Sequence, residues 1–119
     1  MKYLLLVAHG SRREESNDEV RQLAKKLNDM QHGFDEVGAA FLELAEPLIP
    51  DGIIRAIDKG ATEVVVMPYF LSAGRHVVLD VPADVESVKA KYPHIKITLA
   101  PYLGSSPKLL DVILDMVDG

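Results

Sequence analysis

Tyr3-Leu4-Leu5-Leu6-Val7-Ala8, followed at once by His9-Gly10-Ser11-Arg12, decides how the chain is read. The apolar run lacks the polar alternation of a strand with one wet face, so it predicts a central strand covered on both sides, as in a parallel sheet. Parallel strands need long crossovers, usually helical. The next segment supplies one: Val20, Leu23, Ala24, Leu27 and Met30 recur at helical spacing among charges, which predicts an amphipathic helix from about Glu14 to Met30, closed near Gly33.

The same strand-then-helix unit repeats down the chain. Val37-Gly38-Ala39-Ala40-Phe41-Leu42 reads as a second strand whose small residues favour close packing, and Pro50-Asp51 opens a helix through Ile53, Ile54 and Ile57 that Gly60 closes. Glu63-Val64-Val65-Val66-Met67-Pro68-Tyr69 is a β-branched third strand with Pro68 at its exit. Helical spacing returns at Val85, Val88 and Tyr92 after Pro82. Ile95 to Ala100 alternates as an edge strand does, and Ser106-Pro107 starts a last helix. The expectation is one α/β domain over residues 1–119: a small, doubly wound, four-stranded parallel sheet in the flavodoxin-like order 2-1-3-4.

Composition narrows the chemistry. With 48% hydrophobic and 26% charged residues the chain is apolar enough to fold. No apolar run approaches the roughly 18 to 20 residues that span a bilayer, and the first one stops too soon for a secretory signal, so a cytoplasmic protein without membrane contact is expected. The net charge of -5 argues against nucleic acid as a partner. Zero cysteines exclude disulfides, thiolate zinc sites and iron–sulfur clusters, leaving nitrogen and oxygen as metal donors. Neither a Gly-x-Gly-x-x-Gly nor a Gly-x-x-x-x-Gly-Lys-Ser/Thr loop is present, which leaves nucleotide-dependent chemistry unsupported.

In such a sheet, ligands bind beyond the carboxyl ends of the strands where the order reverses. His9 follows the first strand, Glu43 the second, and His76 ends the loop after the third. Neighbouring strands lie about 4.8 Å apart, so two imidazoles and a carboxylate are expected to converge over the central strand. That donor set suits a borderline divalent metal such as cobalt, nickel, iron or zinc, and the imidazoles also take protons near neutral pH. Bland readings stand beside these. His9 also fits a strand-end cap, and Glu43 and Glu46 fit surface carboxylates. His32 beside Gly33 reads as a helix-end histidine, and His94 as a surface residue.

Three segments resemble a known family. Leu6-Val7-Ala8-His9-Gly10-Ser11-Arg12, Phe41-Leu42-Glu43-Leu44-Ala45-Glu46-Pro47 and Pro68 to Val77, followed by Asp80-Val81-Pro82, together resemble the short sirohydrochlorin chelatases over essentially the whole chain. The resemblance implies insertion of a divalent metal, cobalt foremost with nickel or iron as alternatives, into sirohydrochlorin without ATP. The metal is then a substrate, and no prosthetic group is expected. It implies that His9 and His76 handle metal and protons and that Leu71, Ser72, Ala73, Gly74, Arg75, Glu43 and Glu46 line the tetrapyrrole cleft; on physical grounds Glu43 is expected to balance charge or relay protons. Ser11 and the guanidinium groups of Arg12, Arg13 and Arg75 are candidates to hold substrate carboxylates, with the amides around Gly10 and Ser11 as further anion donors. Longer family members carry two such domains, so this length implies a homodimer. Two rivals are a non-catalytic metal or tetrapyrrole carrier and a histidine phosphatase, whose arginine before the histidine is here Ala8.

Overall fold

A computed structural model describes residues 1–30 and 32–118. The strands are β1 (Lys2–Ala8), β2 (Glu36–Phe41), β3 (Glu63–Pro68) and β4 (Lys96–Leu99), and the helices α1 (Glu14–Asp29), α2 (Ile49–Asp58), α3 (Val81–Lys91) and α4 (Lys108–Val117). All strand pairs are parallel and the order is β2-β1-β3-β4, as expected.

The apolar run of β1 is continuous because its two faces serve two cores. Leu5 and Val7 join Ala40, Val64, Val66 and Ile97 against Ile49, Ile53 and Ala56 of α2 and Val81, Val85 and Val88 of α3. Leu6 and Ala8 join Val37 and Phe41 against Val20 and Ala24 of α1. Phe41 is wholly buried, and its truncation to Ala would cost about 3–5 kcal/mol. The dipole of α1 is complemented by Glu14 and Glu15 in its first turn and Lys26 in its last.

Two elements depart from expectation. The third helix begins early: a single wide π-helical turn, His76–Asp80, leads directly into α3, closed by the Val81 N–H donating to the His76 carbonyl. Pro82, which has no N–H to donate, follows directly on this turn. The last helix covers no sheet. None of its residues is buried, and Leu110, Ile113, Leu114, Met116 and Val117 are all exposed. α1 packs mainly over β1 and β2, and the same side of the sheet keeps an apolar hollow of about 480 Å³ lined by Met67, Ala100, Tyr102, Leu103 and Pro107.

Candidate functional site

The ladder between β1 and β2 continues past the strands and fixes the first two candidate side chains next to one another. The Leu42 N–H donates to the Ala8 carbonyl at 2.9 Å, and the Glu43 N–H to the His9 carbonyl at 3.0 Å. Gly10 is required for this approach. Its φ is 96°, and a Cβ there would collide with the Glu43 carbonyl oxygen. Leu44, directly after Glu43, holds φ at 65°, a left-handed conformation that costs a branched side chain about 1–2 kcal/mol.

The third candidate arrives from β3. The Tyr69 N–H donates to the Val7 carbonyl at 2.7 Å, and the exposed segment Leu71 to Arg75 leads into the π-turn that His76 opens. The His76 ring lies 4.6 Å from the His9 ring, centroid to centroid, at a tilt of 46°. His9 Nε2 is 3.6 Å from Glu43 Oε1, beyond hydrogen-bond range. Although the ring of His9 is about half exposed, its Nε2 atom is buried and has no hydrogen-bond partner. On its other side His76 is paired, with Nδ1 2.7 Å from Asp80 Oδ2.

His9, Glu43 and His76 are thus brought together over the central strand, but not as a closed coordination set. Among the described residues no group of three or more His, Cys, Asp or Glu is arranged to hold a metal ion. A cleft of about 300 Å³ opens beside them, lined by Leu42, Glu43, His76, Asp80, Ala83 and Asp84. Burial, and then the charge of Asp80, pushes the Asp84 carboxyl above its ordinary pKa. A larger hollow of about 520 Å³ runs along α4; it holds none of the candidate residues, so the chemistry belongs to the smaller cleft.

The other candidates are more dispersed. Arg12, Arg13 and Arg75 are exposed; Arg13 pairs with Glu15 at 3.5 Å. Glu46 is engaged through its backbone carbonyl, which accepts from Arg21 Nη2 at 3.1 Å, and its carboxylate forms no ion pair or hydrogen bond with the imidazoles. The Ser11 amide, expected as an anion donor, is already committed: it donates to Asn17 Oδ1 at 2.9 Å, while Asn17 Nδ2 donates to the Ser11 carbonyl at 2.8 Å. The hydroxyl oxygen of Ser11 accepts from the Arg13 N–H at 3.0 Å.

Asn17 was not legible as a site residue, because an asparagine among the charges of α1 looks like part of a solvated face. It is instead buried and clamps the loop that carries His9. Gly104 was missed too. Its N–H donates to the Phe70 carbonyl at 2.9 Å, and a Cβ there would collide with the Leu71 carbonyl, so the connection after β4 braces the loop after β3. His94 is exposed at the far end of the sheet, before β4, and the His32 ring accepts the Phe34 N–H at 3.0 Å.

Comparison with known proteins gives a consistent result. A family model described as CbiX matches residues 3–118. The chain is 36% identical over 114 residues to the chloroplastic sirohydrochlorin ferrochelatase of Arabidopsis thaliana, covering 96% of this chain and 50% of that protein. It is 34% identical over 116 residues to the sirohydrochlorin cobaltochelatase of Priestia megaterium, covering 95% and 36% respectively. The chain therefore spans half the length, or less, of these two relatives. The crystal structure of a CbiX protein from Marinobacter aquaeolei VT8 superimposes with a TM-score of 0.84 at 33% identity, covering 99% of this chain and 95% of that one.

Proposed function

The chain belongs to the CbiX family, and from that premise we propose that it is a chelatase inserting a divalent metal ion into sirohydrochlorin without a nucleotide. The observation that carries the reading is the buried, unpartnered Nε2 of His9 beside the His76 ring and within 3.6 Å of a Glu43 oxygen. An orphaned buried nitrogen costs about 1–3 kcal/mol, a cost that binding a metal or accepting a proton would offset. An incomplete donor set suits metal transfer, because an ion that must be handed to a macrocycle is better met by two imidazoles with a carboxylate nearby than sealed in a full coordination shell.

Metallation requires the macrocycle to lose two pyrrole protons and the metal to shed water. As the metal passes to the macrocycle, the freed imidazole of His9 accepts one pyrrole proton and the second leaves to solvent water. His76 and His9 present the metal from the side of the cleft, and Glu43 offsets the positive charge gathered there. The guanidinium groups of Arg12, Arg13 and Arg75 are exposed and would engage substrate carboxylates, and the exposed loop from Leu71 to Arg75, which leads to His76, would line the approach. Cobalt is the favoured metal and iron the alternative, as the names of the relatives carry both. The test is single substitution. His9→Ala and His76→Ala, each folded by circular dichroism, are expected to reduce metallation to the uncatalysed rate, and full activity in either overturns the assignment.

The functional unit is a homodimer. The chain matches half the length of the Arabidopsis thaliana relative, and the exposed apolar stripe of α4 together with the uncovered hollow beside β3 and β4 supports a second copy on this face. A carrier that binds metal or tetrapyrrole without turnover is the rival reading, favoured only if saturable binding occurs with no rate enhancement.

A further inference from the structure

His76 and Asp80 are the first and last residues of the π-helical turn, and the turn sets their side chains against one another at 2.7 Å from Nδ1 to Oδ2. A carboxylate is an acceptor only, so the imidazole nitrogen facing it carries the proton. The lone pair of His76 is thereby assigned to Nε2. This matters because the His76 ring is the one that lies beside His9, 4.6 Å away and tilted, and a neutral imidazole offers a metal one nitrogen at a time. An unpaired His76 would divide between two tautomers and rotate about its side-chain bonds. Asp80 removes both freedoms, and its negative charge makes the opposite nitrogen a stronger donor.

We propose that Asp80 is a positioning residue that acts through His76, fixing the Nδ1–H tautomer and ring orientation in which Nε2 receives the substrate metal. The metal-receiving role of His76 rests on the function proposed above; the tautomer assignment does not. The two residues stand four apart, the spacing that sets side chains side by side on one helical face. Asp80 directly precedes α3, and its carboxylate lines the same cleft as Glu43 and Asp84.

The experiment uses the full chain and cobalt(II) alone as probe, with three variants. Nitrogen-15 chemical shifts of the His76 ring report the tautomer, and titration with cobalt, followed by its visible absorption, reports affinity. In the wild type the Nδ1–H form is expected. In Asp80→Ala the ring is expected to become a mixture and the cobalt Kd to weaken by about 10–100-fold. Asp80→Asn, nearly identical in size, can still accept the Nδ1–H through its amide oxygen but lacks the charge, so it should keep the tautomer and bind cobalt between Asp80→Ala and wild type, whereas Asp80→Glu should recover part of the loss. A purely structural role for Asp80 predicts that Asn restores binding in full. The proposal is overturned if the wild-type ring carries its proton on Nε2, if cobalt does not bind, or if Asp80→Ala binds within twofold of wild type with an unchanged tautomer. If Asp80 controls tautomer and affinity while the wild-type protein fails to metallate sirohydrochlorin, the positioning role stands and the chelatase reading falls.

Discussion

Asn17 and Asp84 show how single side chains on the helices govern the site without belonging to the histidine pair. Asn17 holds both backbone polar groups of Ser11, two residues after His9. Asn17→Ala leaves those groups without partners and is expected to cost about 1–3 kcal/mol of stability, measured by urea denaturation, and to lower any metallation rate about tenfold or more as the His9 loop loosens. Asp84 works in the other direction. Its carboxyl is held above the ordinary value by burial and then by Asp80, so the folded chain binds that proton more tightly than the unfolded chain. Stability therefore falls as pH rises from the unfolded value, near 4, through the folded one. Asp84→Asn is expected to raise the melting temperature at pH 7, with the difference from wild type closing below about pH 4. His9 and Glu43 were legible in the sequence because they stand just beyond strand-like runs that topology sets side by side, and His76 because it ends the loop that leaves the neighbouring strand. Asn17 was not, because nothing in the spacing of polar residues on a helix tells a solvated amide from one folded back onto a loop.

At the scale of elements, β1 could be read because an unbroken apolar run has few other uses in a short chain, and the parallel order followed from the crossovers it demands. The segment between β3 and α3 was harder. His76 reads as the end of a loop, since a π-turn has no period of its own in the sequence, and Asp80 was visible only as part of a resemblance. The bracing of that loop by Gly104 was equally hidden, because it depends on residues more than thirty positions apart. Gly104→Ala places a Cβ against the Leu71 carbonyl. Hydrogen exchange is expected to show protection lost at residue 104 and its neighbours while β1 stays protected. Unchanged exchange throughout would mean that the two loops do not depend on one another.

At the scale of the whole molecule, α4 is the helix with no buried residue. Leu110, Ile113, Leu114 and Val117 fall at one-turn spacing on α4 and all are exposed. The sequence predicted the helix correctly from Ser106-Pro107, yet amphipathic spacing says only that a face will be covered, not by which chain. Sedimentation at assay concentration is expected to give twice the monomer mass, and Leu114→Asp is expected to give a monomer with unchanged circular dichroism. A monomeric wild type would contradict the homodimer.

The chelatase reading is tested most directly by the initial rate of sirohydrochlorin metallation, followed by absorbance under anaerobic conditions, with cobalt, nickel and iron in parallel against controls without protein. Acceleration with at least one metal, and fastest with cobalt, is the predicted result. Tight tetrapyrrole binding with no acceleration by any of the three metals would contradict it and identify the chain as a carrier.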